Sequence, residues 1–210
     1  MIKNIVFDMG QVLVDFVADA VCCHFIEDEA ERREVYTSVF VSPEWVFLDM
    51  GVMPEDMALG KMQARLDTER KRDLAAKCFD HWHEYNMVAK PGMEELIRWL
   101  KSGGYGVYLC SNASVRLLAC YEDLLPALDC FDGILFSAEV LCMKPQKEMY
   151  QHLFNRFHLD PSECFFIDDL PLNIEGARSC GMDGYCFDDG DIRKLREVLE
   201  GLGHHPQGMI

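Results

Sequence analysis

Asp8 closes the short apolar run 2–7 and is followed by Met9-Gly10-Gln11-Val12-Leu13. A carboxylate so placed serves as a covalent nucleophile, a metal ligand or a helix cap. Asp168-Asp169 closes a second apolar run, 164–167, and adjacent acids at a sheet edge repel each other unless a cation lies between them. A hard divalent ion such as Mg(II) takes one or two carboxylates and keeps several waters, which suits acids in this setting. The competing reading makes Asp169 a helix cap and leaves Asp168 in solvent. Ser111-Asn112 follows a third run, where a hydroxyl and backbone amides either cradle phosphate oxygens or simply open a helix. Lys144 stands before Pro145, at an expected helix start, where a cation is electrostatically disfavoured. That placement is explained if Lys144 faces Asp8 and an anionic substrate; an exposed loop lysine is the alternative.

These residues share one architectural feature: Asp8, Ser111 and Asp168-Asp169 all end apolar runs. The runs 2–7, 105–110, 133–136 and 164–167, with a weaker one at 184–187, are apolar on both faces, as strands of a doubly covered parallel sheet are. Helical patterns separate them. One covers 91–100, with Met93, Leu96, Ile97 and Leu100 on one face and Gly103-Gly104 beyond its end. Another starts at Pro145 and carries Met149, Leu153, Phe154 and Phe157; a third covers 172–180 and stops at Gly181. Strand and helix in alternation predict an α/β fold, a doubly wound parallel sheet of Rossmann-like form, whose ligands sit at the carboxyl ends of the strands. Residues 16–88 break the alternation. They are charged and helix-favouring, with Val35, Val39 and Phe40 on one amphipathic face and Met57, Leu59, Met62 and Leu66 on another. The expected organisation is a core of 1–15 and 89–203, an all-α helical cap over 16–88, and a flexible tail at 204–210.

Composition narrows the function. Of 210 residues, 50% are of apolar types and 27% are charged, which is ordinary for a globular protein and excludes wholesale disorder or a fibre. No apolar run approaches the ~18 residues of a membrane span, and the first apolar stretch is too short for a signal peptide, so a cytoplasmic protein without membrane contact is expected. A net charge of −16 repels polyphosphate backbones and argues against a nucleic-acid partner. It also means that a phosphorylated substrate would need a metal ion and a few well-placed cations. The ten cysteines include no C-x-x-C pair and read as buried thiols of a reducing compartment rather than disulfides or a zinc site. Oligomeric state leaves no mark in the sequence.

Taken in order, Asp8-x-Gly10-x-Val12-Leu13, Ser111-Asn112, Lys144-Pro145 and Asp168-Asp169-x-x-x-Asn173 resemble the four motifs of the haloacid dehalogenase (HAD) superfamily, over nearly the whole chain. The long gap between the first two motifs is similar to that of members with a helical cap after the first strand. The resemblance implies a Mg(II)-dependent phosphatase acting on a small phosphorylated metabolite. Asp8 would attack phosphorus to give an aspartyl-phosphate that water hydrolyses. Ser111 and the Asn112 amide would hold phosphoryl oxygens, and Lys144 would offset charge between Asp8 and the phosphate. Asp169, supported by Asp168, would complete the metal site with Asp8 and the Gly10 carbonyl. Phosphoryl transfer asks chiefly for such positioning and charge neutralisation.

One position departs from the pattern. Most family phosphatases carry a second aspartate two residues after the nucleophile as general acid and base, and here Gly10 stands there. General acid catalysis is worth about 10²–10⁴-fold, so either the leaving group is acidic, as in a sugar 1-phosphate, or the cap supplies the proton, with His24 and Glu27 as candidates. The stretch Asp8-Met9-Gly10-Gln11-Val12 is similar to a branch that hydrolyses glucose 1-phosphate. Other side chains carry less: His81 and His83 read as packing or surface residues, and Trp45, Phe47 and Met50 as cap core. Two alternatives stay open: a metal-independent 2-haloacid dehalogenase, disfavoured by the paired acids, and a phosphometabolite-binding protein without turnover.

Overall fold

A computed structural model describes residues 1–203; the expected tail at 204–210 lies outside the described residues. The chain opens with strand β1 (Asn4–Phe7) and a short strand β2 (Val14–Phe16). Five helices follow: α1 (Ala20–Phe25), α2 (Glu29–Phe40), α3 (Pro43–Asp49), α4 (Glu55–Gln63) and α5 (Glu69–Tyr85). Strand β3 (Met87–Ala89) leads to α6 (Met93–Ser102), β4 (Gly106–Ser111), α7 (Val115–Cys120), β5 (Gly133–Phe136) and α8 (Ser137–Val140). The last third contains α9 (Lys147–Phe157), β6 (Cys164–Asp168), α10 (Pro171–Ser179), β7 (Asp183–Cys186) and α11 (Ile192–Glu200).

Five strands form one parallel sheet in the order β5-β4-β1-β6-β7, which makes this the doubly wound α/β fold that the alternation predicts. Side chains alternate across a strand, and β1 shows the consequence. Ile5 and Phe7 pack on one face with Leu96 and Ile97 of α6 and Leu195 and Leu199 of α11, whereas Val6 joins Met149 and Leu153 of α9 and Ile174 of α10 on the other. All of these residues are buried, so the strand must be apolar throughout. The 172–180 helix closes as expected: Gly181, just past the end of α10, adopts φ +90. The helix expected from Pro145 starts later, at Lys147, because Gln146 still has extended backbone (φ −60, ψ 135).

The strands β2 and β3 are not anticipated from the sequence. They pair antiparallel, Phe16 opposite Met87 and Val14 opposite Ala89, and Lys90 closes this ribbon with an ion pair to Asp15. At three residues each they are too short to show an alternating pattern. The ribbon is a neck through which the chain leaves the sheet region before α1 and returns after α5. Within the insert, Val35, Val39, Ala58, Met62, Cys78 and Trp82 are buried in a core continuous with one face of the sheet. Arg116 on α7 grips two insert helices. Its guanidinium donates to both Glu55 carboxylate oxygens (2.8 and 3.0 Å) and to the Asp80 carbonyl (2.6 Å), and it lies 5.1 Å above the Phe79 ring. Among the described residues, no helix is long and apolar enough to cross a membrane.

Candidate active site

The sheet order places β1 between β4 and β6, so three of the singled-out strand ends lie side by side. Phe7 is level with Leu109 on one side and Ile167 on the other, and the Asp8 amide extends the ladder by donating to the Ile167 carbonyl at 2.8 Å. Asp8, Ser111 and Asp168 therefore emerge at one edge. Past Asp8 the backbone turns sharply, with Gln11 in the left-handed region (φ 58) and its side-chain amide donating to the Phe16 carbonyl at 3.0 Å.

Lys144 comes to this edge from the loop between α8 and α9 and is 2% exposed, so the buried, charge-facing reading of this residue holds over the exposed-loop one. Its Nζ lies 2.8 Å from Asp8 Oδ1 and 2.6 Å from Asp168 Oδ2. Burial pulls the Lys144 ammonium down, but Asp8 and Asp168 outweigh that and hold it charged. Asp168 is fully buried, and protein donors fill both its oxygens. Besides Lys144, the Leu170 amide donates to Oδ1 at 2.9 Å, and Asn173 Nδ2 donates to both oxygens at 2.9 and 3.0 Å. This reverses the capping alternative for the acid pair: Asp168 is the interior residue, and Asp169 is the half-buried one.

The Asp8 carboxyl is pushed up to about 6 by burial, with Lys144 opposing and Asp168 adding to the rise. Burial followed by Asp168 also raises Asp169. Carboxylate oxygens of Asp8, Asp168 and Asp169 all lie within 4.8 Å of one another. Three acids against one ammonium leave an excess of negative charge in a desolvated place, where an unbalanced charge is costly. Asp8 Oδ1 is buried, and the Lys144 contact is not aligned on it as a hydrogen bond. A hard, oxygen-seeking divalent cation fits this donor set. With Asp168 saturated, Asp8 and Asp169 are the carboxylates open to it, and Gly10 lines the same cavity.

That cavity has a volume of about 270 Å³. Its floor is formed by Asp8, Gly10, Ser111, Asn112, Lys144 and Asp169, and its wall by Phe16, Trp45, Trp82, Met87 and Leu117. Sequence reasoning assigns Trp45 to the insert core; it packs there, 5.2 Å from Trp82 ring to ring, and also faces the cavity. Phe47 is instead 41% exposed. His24 and Glu27, the suggested proton donors, are both exposed and do not line the cavity; His24 stacks on Tyr85 at 4.3 Å. His81 pairs with Glu84 at 3.0 Å, consistent with a surface role. The Asn112 side chain has a use the sequence did not suggest: it holds the Lys144 backbone, donating to the carbonyl at 3.0 Å and accepting from the amide at 2.8 Å.

One acid in the cavity escaped the sequence reading. Asp49, the last residue of α3, enters from the insert side. Burial, with Asp8 adding to it, pushes its carboxyl up to about 7, eased by the Ser114 amide. Nothing in the local sequence around Asp49 separates it from the many surface acids of this chain.

Comparison with known proteins agrees with this architecture. The family model described as haloacid dehalogenase-like hydrolase matches residues 2–181. A D-ribitol-5-phosphate phosphatase of Bacteroides thetaiotaomicron is 29% identical over 95% of this chain and 98% of its own length. A sesquiterpene phosphatase of Aspergillus oryzae is 32% identical over 94% of this chain and 96% of its own. Among solved structures, a HAD family enzyme of B. thetaiotaomicron in complex with magnesium and inorganic phosphate matches with a TM-score of 0.68 at 20% identity, covering 88% of this chain and 93% of that one; the likeness speaks for the fold.

Proposed function

The chain belongs to the haloacid dehalogenase-like hydrolases, and on that footing we propose that it is a magnesium-dependent phosphatase of a small organic phosphate monoester. The observation that carries this reading is the cluster of Asp8, Asp168 and Asp169 around a single buried ammonium, Lys144. A metal-independent dehalogenase would gain nothing from two further carboxylates beside its nucleophile, since like charges there only hinder ionisation. Full-length relatives named as phosphatases point the same way.

In this reading Asp8 and Asp169 hold the ion with the Gly10 carbonyl, and bound Mg(II) supplies Lewis-acid neutralisation of the phosphoryl oxygens. The Asp8 carboxylate attacks phosphorus, a P–O bond to Asp8 forms, and the bond to the leaving oxygen breaks. Water then cleaves the aspartyl-phosphate, releasing inorganic phosphate and restoring the carboxylate. Ser111 and the Asn112 amide hold phosphoryl oxygens, while Lys144 keeps Asp8 ionised and offsets the incoming charge. Asp168 fixes Lys144 and the turn at Leu170 and acts as a support for the ion's ligands. The five helices between β2 and β3 serve as the cap that closes over the phosphate, and the protein works in the cytoplasm.

The apolar wall favours a substrate with an apolar body, because Phe16, Trp45, Trp82, Met87 and Leu117 line the same cavity as the proposed phosphate-binding residues. A sugar 1-phosphate is the second reading. It is favoured by the glycine at position 10 and disfavoured by a wall with few partners for hydroxyl groups. The test is a panel of phosphate esters, apolar and sugar-derived, assayed with and without Mg(II), with Asp8→Asn as control. Hydrolysis that needs Mg(II) and vanishes in the variant is expected. Chloride release from 2-chloropropionate unaffected by chelator would restore the dehalogenase reading, and phosphate binding without turnover at saturating Mg(II) would restore the binding protein.

A further inference from the structure

We propose that Asp49, carried into the cavity by α3, is the general acid and base of this phosphatase, replacing the aspartate that the first motif lacks. The inference deepens the phosphatase reading and rests on it. Among the described residues, four titratable side chains line the cavity: Asp8, Lys144, Asp169 and Asp49. Asp8 is committed to phosphorus, Asp169 to the cation and Lys144 to two carboxylates. Asp49 is the remaining group of that set able to move a proton, and it comes from the insert, at the end of α3, rather than from the sheet edge.

Its position is fixed at backbone level. The buried Ser137 hydroxyl donates a short hydrogen bond to the Asp49 carbonyl and accepts one from the Ala113 amide at 2.8 Å. One side chain thus ties the end of α3 to the loop that carries Ser111 and Asn112. Two residues on, Gly51 has φ +71 and runs so close to Ala138 that a methyl group would overlap that residue's backbone. Catalytic groups need such registration, because a displacement of ~1 Å can lower a rate by about 100-fold. Gly10, by contrast, faces open space: a Cβ added there meets nothing within 4 Å. The usual position of the acid carries no side chain, and a carboxyl from the insert lines the same cavity. Burial raises that carboxyl above the ordinary carboxylate range, in keeping with a group that both gives and takes a proton.

In the first step the protonated Asp49 gives its proton to the leaving oxygen as the P–O bond breaks and Asp8 takes the phosphoryl group. In the second, the Asp49 carboxylate removes a proton from the water that attacks phosphorus. Inorganic phosphate departs, Asp8 is free again, and Asp49 is once more protonated.

The experiment compares two esters in Mg(II) with the wild type and Asp49→Asn. Benzyl phosphate has an alcohol leaving group that needs a proton; 2,4-dinitrophenyl phosphate does not. The variant is expected to lose about 10²–10⁴-fold in kcat on benzyl phosphate and less than about 10-fold on the dinitrophenyl ester, whose retained turnover also shows that the variant is folded. Equal losses on both esters, or no loss on benzyl phosphate, would overturn the assignment while leaving the phosphatase reading in place. A wild type inactive on both esters would overturn that reading and the assignment with it.

Discussion

Asn112 and Lys144 are joined twice, the Asn112 side-chain amide donating to the Lys144 carbonyl at 3.0 Å and accepting from its N–H at 2.8 Å. This is the pairing one strand residue would offer another, made by a side chain, and it aims the Lys144 ammonium at Asp8. Asn112→Asp replaces the donating NH₂ by an oxygen that faces a carbonyl oxygen. The expected result is a stability loss of about 1–3 kcal/mol in urea denaturation, with a fall in kcat on every ester alike. A variant as stable and as active as the wild type would show that the clamp is unimportant.

Lys144→Met leaves Asp8 and Asp168 as buried acids without their counterion, and removing one partner of a buried pair typically costs about 3–5 kcal/mol. Mg(II) should return part of that, because a divalent ion supplies the missing positive charge; urea curves with and without Mg(II) measure it. The pH dependence has a definite sign. In the metal-free wild type the Asp8 carboxyl stands at about 6 against an ordinary 3.8, so the folded state holds this proton more firmly than the unfolded chain does. Asp8 therefore weakens the fold as pH rises from about 4 to 6, and the slope is lost in Asp8→Asn. The Lys144→Met deficit should shrink as pH falls, since protonating Asp8 removes the unpaired charge.

The floor of the site could be read from the sequence because its residues terminate strands. A strand covered on both faces is an unbroken apolar run, and the first acid after it must lie at the sheet edge, as Asp8 and Asp168 do. The family motifs then named the partners from distant parts of the chain. Asp49, Trp45 and Trp82 could not be read in the same way. Their side chains face the cavity because Ser137, Gly51 and Arg116 hold the insert in one orientation, and those contacts join residues tens of positions apart. Amphipathic spacing shows which helix positions are apolar, but a cavity wall and a core satisfy the same pattern. The neck of β2 and β3 was hidden by its brevity, and the use of the Asn112 side chain on Lys144 by the lack of any local signature.

Gly10→Asp tests the division of labour from the other side. The open space at position 10 admits a side chain, so the substitution should fold with little loss of stability. A carboxyl there would stand where related phosphatases keep their acid. In an Asp49→Asn background it is expected to recover benzyl phosphate hydrolysis by at least about 10-fold, within the range that general acid catalysis provides. The measurement is kcat for the double variant against Asp49→Asn alone.

Gly51→Ala acts on the acid without touching it. At φ +71 a side chain is strained by about 1 kcal/mol or more, and the methyl would also overlap the backbone of Ala138, so the end of α3 has to shift. The Ser137 bond to the Asp49 carbonyl belongs to the same contact and should weaken with it. Lower stability alone would be unremarkable for a glycine in so close a contact. The informative expectation is that the surviving activity shows the leaving-group bias of Asp49→Asn: benzyl phosphate turnover falls by more than turnover of the dinitrophenyl ester, although Asp49 is intact. Proportional losses on the two esters would mean that α3 can move without displacing the proton donor, and the docking of Gly51 on Ala138 would then serve the fold alone.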